Sequence, residues 1–285
     1  MSTPKKLKLH PSIRRSTTET GRGTFATWSC APQDTSLPRG NVILVPGFTG
    51  SKDDFAELLP LLANAGWRVA TYDQRGQFET VADPGADLSL AGFAADLVAM
   101  TGALFGADER AHVVGHSLGG LVAATAVVDS PDLWASLTLM CSGPGGFDGA
   151  KGREALDGAL LIETEGLEAA YRSRARRAME RGQEPPSEQI EQFRVERFMA
   201  NSPESLAAMA RLLATAPDRT ADLAGSGVKV AVVRGEHDDA WSHAAQDELA
   251  AALDTSVVVL RQSAHSPAVE APEETRDALV RIWMS

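Results

Sequence analysis

Short apolar runs alternate along this chain with longer stretches of helical periodicity, and this alternation constrains the fold more than any other sequence feature. Most of the runs are mainly apolar and do not alternate with polar residues, which is typical of strands covered by helices on both faces. Strands that alternate with helices in this way form a mostly parallel sheet, so we predict an α/β fold. The predicted strands are Asn41–Val45, Arg68–Tyr72, Ala111–Val114, Leu137–Cys141, Val228–Val233 and Ser256–Leu260. The predicted helices lie near residues 52–65, 90–105, 118–129, 242–253 and 272–283.

One long segment contains no predicted strand. From Pro144 to Gly225 the sequence shows only charged amphipathic patterns, which predict helices at Gly166–Arg181, Ser187–Ala200 and Pro203–Thr215. The segment begins just after a predicted strand, at the carboxyl end where parallel sheets bind ligands. We therefore expect a helical cap over residues 145–224 and a core made of residues 1–144 and 225–285. The alternative is a peripheral helical subdomain with no role at the site.

Overall charge narrows the class of partner. The 285-residue chain carries a formal net charge of −11. This charge disfavours nucleic acid, because polyphosphate binding relies on a basic surface that displaces counterions. It also disfavours anionic membrane surfaces, and no apolar run approaches the length of a membrane span. We expect a small-molecule substrate, with neither nucleic acid nor membrane as partner, and the possibility of a homo-oligomer stays open.

Two features bear on the cellular compartment. The first twenty residues are basic and polar and lack the apolar stretch of a secretory signal. Cys30 and Cys141 lie in apolar, strand-like runs. Two such cysteines indicate buried, reduced thiols and no disulfide framework. The sequence therefore predicts a cytoplasmic protein.

The pentapeptide Gly115-His116-Ser117-Leu118-Gly119 has the pattern G-x-S-x-G. It follows the predicted strand at 111–114 and precedes a helix-compatible run. A sharp strand-to-helix turn of this kind pushes a serine hydroxyl into the open, and glycines two residues to either side leave room for it. The helix that begins there also directs its positive dipole end at any developing negative charge. Ser117 is therefore the candidate nucleophile.

The succession of motifs resembles the α/β-hydrolase superfamily, and within it the capped, single-chain, esterase-like branch. The resemblance extends from about residue 24 to residue 283. It rests on Val45–Ser51 after the first predicted strand, Asp73–Gly76 after the next, the pentapeptide around Ser117, Gly235–Asp238 after a late strand, and His265 after the last strand. It implies the α/β-hydrolase fold, with helices on both sides of the sheet and an inserted helical cap.

The resemblance also implies a catalytic triad in the chain order serine, acid, histidine. His265 follows the predicted strand Ser256–Leu260, where the family places its base, although Ala264 stands where relatives usually have glycine. Asp238 occupies the family's G-x-x-D position. Its neighbours Glu236 and Asp239 are the alternatives for the acid. We expect Ser117, Asp238 and His265 to act together.

In this family two backbone N–H groups hold the oxyanion of the tetrahedral intermediate. The resemblance assigns them to Phe48 and Leu118. Pro46 stands where many relatives have histidine, but this departure leaves the backbone donor of Phe48 in place. Phe48 either forms one wall of the acyl pocket or serves packing. After the D-x-R-G turn the chain carries Gln77 and Glu79, where relatives often have a glycine and a serine, so the geometry of this loop is open.

These assignments predict acyl transfer to water in two steps, through an acyl-enzyme on Ser117. No cofactor is required, and the scattered histidines and cysteines predict no metal site. We expect a small or medium carboxylic ester, lactone or thioester as substrate. Two sets of cap residues are candidates for contact with the substrate. The alternative for the apolar set is packing in the cap's own core, and the alternative for the arginines is a solvent-exposed helix face. The sets are Leu160, Leu161, Ile162, Phe193, Phe198 and Met199, and Arg172, Arg174, Arg176 and Arg177.

Three other readings of the sequence stay open. The same triad supports non-hydrolytic chemistry in acyltransferases, perhydrolases and lyases. Aminopeptidases of the proline-releasing type share the capped architecture. A ligand-binding receptor built on a hydrolase scaffold is the alternative from outside enzymology.

Overall fold

A single eight-stranded sheet organises the protein, in the order β1-β2-β4-β3-β5-β6-β7-β8. The structure is a computed structural model that describes residues 2–33, 37–182 and 184–285. The strands are β1 (Arg14–Thr20), β2 (Gly23–Cys30), β3 (Asn41–Val45), β4 (Arg68–Tyr72), β5 (Ala111–His116), β6 (Trp134–Met140), β7 (Val230–Gly235) and β8 (Val257–Leu260). The pairs from β4 through β8 are parallel, whereas β1–β2 and β2–β4 are antiparallel.

The six predicted strands are all present, with ends that differ by at most three residues. The predicted fold class, a mostly parallel α/β sheet flanked by helices, is confirmed. The strands β1 and β2 were not predicted individually. β1 has the sequence RRSTTET and is largely exposed, so it lacks the apolar run that identified the parallel strands.

The helices are α1 (Leu58–Asn64), α2 (Leu90–Phe105), α3 (Leu118–Asp129), α4 (Gly149–Glu180), α5 (Glu188–Met199), α6 (Pro203–Thr215), α7 (Thr220–Gly225), α8 (His243–Ala252), α9 (Pro267–Glu270) and α10 (Pro272–Met284). The helix predicted near 52–65 is divided into a 3₁₀ turn, Lys52–Phe55, and α1. α3 lies behind the central strands and is buried along most of its length. Its position explains why its sequence is apolar on every face.

Apolar side chains cover both faces of the sheet. One cluster joins the sheet to α2, α3 and α8 and includes Phe93, Leu97 and Trp134. The opposite cluster includes Phe55 from the 3₁₀ turn and Leu279 from α10. The sheet is therefore the middle layer of three, and only the ends of its strands are available for a site.

The segment between β6 and β7 is helical, and α4, α5 and α6 share a small apolar cluster of their own. α4 is interrupted at Gly166, where φ is 84°. The helix predicted from Gly166 corresponds to the second half of α4, and the first half was missed. Gly152 and Gly158 lower the helix propensity of that half. The division into a cap at 145–224 and a core stays a prediction.

A buried ion pair attaches this helical segment to the sheet layer. Arg197 of α5 donates to the Asp54 carboxylate at 2.7 Å, and both side chains are almost fully buried. Gly76 lies so close to α6 that a Cβ there would come within 2.0 Å of the Ser205 hydroxyl oxygen. Loss of one partner from such a buried pair costs roughly 3–5 kcal/mol, because the other charge is left uncompensated. The contact fixes the segment over the carboxyl ends of the strands.

Two smaller expectations also have outcomes. Cys30 and Cys141 are both buried and free, as predicted. Within the part of the chain that the structure describes, no helix combines the length and apolarity needed to cross a membrane. The cytoplasmic location stays a prediction.

Candidate active site

The predicted catalytic residues lie at the carboxyl ends of neighbouring parallel strands. Phe48 follows β3, Ser117 follows β5, Asp238 follows β7 and His265 follows β8. Parallel strands present all these ends at one edge of the sheet. Residues more than 200 positions apart in sequence are therefore brought to one place.

Ser117 occupies a strained turn between β5 and α3. Its φ is 54° and its ψ is −121°, a backbone conformation that a residue with a Cβ rarely adopts. The turn is crowded: a Cβ on Gly115 would lie 2.3 Å from the Gly119 carbonyl oxygen, and one on Gly119 would lie 2.4 Å from the Val45 oxygen. The two flanking glycines are thus required by the close packing of the turn, as the sequence predicted.

Asp238 is buried beside the imidazole of His265. Its Oδ1 lies 2.7 Å from His265 Nδ1, and it also accepts hydrogen bonds from the Gln246 side chain and the Ala240 N–H. Burial opposes ionisation of Asp238, but the hydrogen bond to His265 and the other donors outweigh it and lower its pKa to about 2. The alternative acids, Glu236 and Asp239, are exposed. The geometry therefore pairs His265 with Asp238.

The loop that carries His265 is held by groups that sequence reasoning did not identify. His116 Nε2 lies 2.6 Å from the His265 carbonyl oxygen, so this nitrogen carries the proton and donates. Burial lowers the pKa of His116 to about 4, which keeps the ring neutral. The Glu270 carboxylate accepts from the N–H groups of Ala264 and Ser266. Because these contacts join segments that are distant in sequence or depend on loop conformation, no local pattern indicates them.

Ser117 and His265 face one cavity of about 260 Å³, which Phe48 also lines. Among the described residues, no hydrogen bond joins the Ser117 hydroxyl to His265. Catalytic hydrogen bonds of this type are often long in free enzymes and tighten when substrate binds. The structure thus brings the serine and the histidine to the same cavity without closing the contact between them.

The predicted oxyanion donors approach from two sides of the turn. Leu118 is the first residue of α3, so its N–H has no acceptor one turn earlier in the helix. Its side chain is fully buried, and only its backbone is available to the site. Phe48 lies in the loop after β3. Gly47 brings this loop against the serine, because a Cβ on Gly47 would lie 3.0 Å from the Ser117 Cβ.

Two buried glutamines hold the loop that contains Phe48. Gln74 Nε2 donates to the Pro46 carbonyl oxygen at 2.8 Å, and Gln77 Nε2 donates to the Gly47 oxygen at 2.9 Å. Gln77 Oε1 in turn accepts from the Gln74 N–H. The departure from the family pattern at Gln77 therefore has a structural consequence: this side chain ties the D-x-R-G turn to the Phe48 loop.

Asp73 and Arg75 do not line the cavity. Asp73 forms a buried ion pair with Lys52 at 2.8 Å, and Arg75 forms one with Asp96 at 2.6 Å. Both contacts tie the ends of strands to neighbouring segments. This placement agrees with a structural role for the two residues.

The cap residues divide between the cavity and other surroundings. Leu161, Ile162 and Phe198 line the cavity, whereas Leu160 is exposed and Met199 packs within the helical segment. The ring of Phe193 packs edge-to-face against the ring of Phe78, outside the cavity. Arg174 and Arg177 also line the cavity, whereas Arg172 and Arg176 are exposed.

The amino-terminal segment also reaches the cavity. Ser2 lines it, accepts a hydrogen bond from Arg197 through its carbonyl oxygen, and shares a hydroxyl contact of 3.0 Å with Ser266. No sequence pattern indicated this contact.

One cluster has the donor types of a metal site. The ligand atoms of Cys141, Asp238 and His265 all lie within 4.8 Å of one another. Burial raises the pKa of the Cys141 thiol well above its usual value, which disfavours the thiolate that a metal requires. Both oxygens of Asp238 already accept hydrogen bonds. The donor set therefore fits a protonated thiol beside an acid–histidine pair better than a metal site, and the absence of a metal or cofactor stays a prediction.

Fold and site together define the class of protein. The family model of the alpha/beta hydrolase family matches residues 42–278, so the chain belongs to this family and is a hydrolase of that fold. The resemblance noted from the motifs is thereby confirmed.

Similarity to individual proteins defines the class of this protein less specifically than the family model does. A protein of Variovorax paradoxus described as a candidate carbamate hydrolase, RutD, is 40% identical over 99 residues, which are 35% of this chain and 36% of that protein. The match thus spans about a third of the curated relatives' length. The enol-lactonase of Burkholderia xenovorans has a TM-score of 0.78 at 20% identity, covering 95% of this chain and all of that one. A thermophilic esterase of Thermogutta terrifontis has a TM-score of 0.75 at 23% identity over 95% and 98% of the two chains. At such identities the two structures show the fold alone.

The lowered pKa of Asp238 predicts how stability depends on pH. Because this pKa is below the ordinary value of 3.8, ionised Asp238 stabilises the folded state above about pH 4, and the contribution is lost as pH falls towards 2. In full it amounts to about 2 kcal/mol. Urea unfolding at several pH values between about 3 and 6 should show a flatter decline for Asp238→Asn than for the parent protein. Equal declines would contradict the assignment.

Proposed function

We propose that the protein is a serine hydrolase that cleaves a small or medium carboxylic ester, lactone or thioester through an acyl-enzyme on Ser117. The observation that carries this proposal is the shared cavity: a strained serine at a strand-to-helix turn opens into the same space as a histidine bound to a buried aspartate.

The roles follow from which atoms are free. His265 Nδ1 donates to Asp238, so Nε2 is the nitrogen available as a base. Ser117 Oγ attacks the carbonyl carbon while Nε2 takes the hydroxyl proton. The resulting oxyanion accepts from the N–H groups of Phe48 and Leu118. Each such donor is worth about 10²–10³ in rate.

The intermediate then collapses in the direction of the acyl-enzyme. The bond to the alcohol or thiol breaks, and the leaving group takes the proton from His265. Water enters, gives a proton to His265 and attacks the acyl carbonyl. Ser117 leaves with that proton, and a carboxylic acid is released. Asp238 stabilises the positive charge on His265 during each proton transfer.

The cavity supports a substrate of modest size. Its volume of about 260 Å³ is slightly below the usual range of ligand pockets, and Leu161, Ile162 and Phe198 give it an apolar wall. We assign these residues to a cap, residues 145–224, which covers the site and restricts the acyl chain that enters. Together with the negative net charge, this favours a small-molecule substrate over a macromolecular one.

Carbamate cleavage is the second candidate. It is supported by the 40% identity to the RutD relative over 99 residues. The same residues would act in the same order, with a carbamoyl group on Ser117 in place of an acyl group. Turnover of p-nitrophenyl carbamates faster than that of the matching esters would favour this candidate.

Replacement of Ser117 tests the nucleophile. We expect Ser117→Ala to lower kcat on p-nitrophenyl esters by about 10⁴–10⁶-fold, because the attacking atom is lost. A series of esters of increasing acyl length, with exposed Ser187→Ala as the matched control, measures this effect and the size of the acyl pocket. An undiminished rate for Ser117→Ala would exclude it as nucleophile.

The same proteins distinguish the other readings. Failure of a fluorophosphonate to label the parent protein would favour a ligand-binding receptor. Faster release of p-nitrophenol when an alcohol, an amine or hydrogen peroxide is added would favour non-hydrolytic transfer. Preference for an aminoacyl amide over an ester would favour an aminopeptidase.

Replacement of Gln77 tests how the oxyanion loop is positioned. In Gln77→Ala the Gly47 carbonyl keeps the Gly50 N–H as donor but loses the side chain that ties this loop to the D-x-R-G turn. The Phe48 N–H is then held less firmly, so we expect kcat to fall by about tenfold to a hundredfold. KM should change less, because the N–H acts in the transition state. Exposed Gln192→Ala is the matched control. A rise in KM at unchanged kcat would contradict the positioning role.

A further inference from the structure

Arg174 extends from α4 into the cavity that contains Ser117. Its guanidinium carbon lies 5.3 Å from the centre of the Phe48 ring. Phe48 belongs to the loop whose backbone N–H is the proposed oxyanion donor. The cation is therefore held close to the place where the substrate carbonyl would bind.

The neighbouring cations of the cavity already have partners. Arg177 and Arg181 both contact the Glu154 carboxylate, and Lys151 donates to the Ala240 carbonyl oxygen. Arg174 differs from them: across residues 2–33, 37–182 and 184–285, it forms neither an ion pair nor a hydrogen bond, and its contact with Phe48 is the interaction observed. Its five N–H donors are thus available to a ligand.

An unpaired guanidinium in such a place is costly. Burial and the nearby Arg177 lower the pKa of Arg174 to about 10, and the Glu154 carboxylate, which acts in the opposite direction, is already shared by Arg177 and Arg181. Arg174 therefore keeps its charge at neutral pH without an ion pair of its own. The face of the Phe48 ring offsets part of this cost. The remainder is offset when a planar anion accepts two parallel hydrogen bonds.

Resting on the proposed function, we infer that the substrate carries a carboxylate on its acyl side and that Arg174 binds this group. A carboxylate matches Arg174 because its two oxygens can accept two parallel N–H donors of the planar guanidinium. His265 delivers its proton to the leaving group, so it faces that part of the substrate. Arg174 lies against the oxyanion loop, so a carboxylate bound there belongs to the acyl side of the substrate. The substrate class is therefore the half-ester of a dicarboxylic acid, and the product is the free diacid.

Two sets of substrates that differ only in this charge test the inference. The methyl half-esters of glutaric, adipic and pimelic acids carry the carboxylate. The methyl esters of the matching monoamides have the same shape and no charge. Released acid is followed by continuous titration. We expect kcat/KM to be about 10- to 100-fold higher for the best half-ester than for its monoamide, the range of a charge-assisted hydrogen bond.

Three variants assign the preference to one side chain. Arg174→Gln should remove the preference by lowering kcat/KM on half-esters while leaving the monoamides within about twofold, since only the anion loses its partner. Arg174→Lys keeps the charge but not the paired donors and should retain part of the preference. Arg176→Gln removes the same charge from an exposed position two residues away on the same helix and should change neither substrate set.

The outcomes separate this inference from the proposed function. If the parent protein cleaves monoamide esters as well as half-esters, or if Arg174→Gln lowers both equally, Arg174 only supports Phe48 and the inference is wrong while Ser117 chemistry stands. Calorimetry with Ser117→Ala adds a readout that does not depend on turnover. Adipate should bind more tightly than adipamide, and the added Arg174→Gln change should abolish the difference. If no ester is cleaved and no fluorophosphonate adds to Ser117, but adipate binding still depends on Arg174, the anion site stands and the proposed function fails.

Discussion

The backbone turn at Ser117 is the constraint on which the site depends. A non-glycine residue at φ 54° costs on the order of 1–3 kcal/mol and persists only where the surrounding structure enforces it. Here the surrounding backbone enforces the turn, because it packs so closely on Gly115 and Gly119 that a Cβ at either position would clash with it. The strain sets the serine at the strand end and starts α3 directly behind it. The position of every other proposed catalytic group is defined relative to that oxygen.

Buried charge organises the surroundings of this turn. Asp54 with Arg197, Asp73 with Lys52 and Arg75 with Asp96 are internal ion pairs that join separate segments. Against this background of paired charge, an arginine with no partner in the described chain has a different meaning. Of these pairs, Asp54 with Arg197 attaches the helical segment to the sheet layer. The unpaired arginine, Arg174, suggests that an anionic group of the substrate binds in the cavity.

The sequence predicted the sheet well where burial alone determines the pattern. β3 and β4 match the prediction because strands buried on both faces are mainly apolar. β1 escaped notice because a half-exposed antiparallel strand rich in threonine and arginine leaves no such run. In the helical segment, the prediction of α6 was accurate to the residue, whereas glycines hid the first half of α4. The hydrophobic pattern of a sequence reflects burial. It therefore fails to predict a strand that is partly exposed or a helix whose glycines lower its helix propensity.

The residues of the candidate site also fall into a predicted and an unpredicted group. Ser117, Asp238 and His265 were predicted because each stands in a local motif at the end of a strand, and the structure brings all three to one edge of the sheet. The groups that hold the His265 loop, His116 and Glu270, and the group that holds the Phe48 loop, Gln77, were not predicted. Their roles depend on which loops meet in three dimensions, and a single sequence does not contain that information. Arg174 was one of four candidate arginines, and the structure distinguishes it because only Arg174 and Arg177 of the four line the cavity and Arg177 is paired with Glu154.

The central claim is that the reaction passes through a covalent bond at Ser117. The most direct measurement mixes the protein with p-nitrophenyl acetate, stops the reaction with acid while substrate remains, and locates any added acetyl group by peptide mass spectrometry. The account predicts one acetyl group on the Ser117 oxygen, which disappears once the substrate is consumed. Turnover with no adduct at Ser117, or an adduct on another side chain that forms and decays at the rate of turnover, would contradict it.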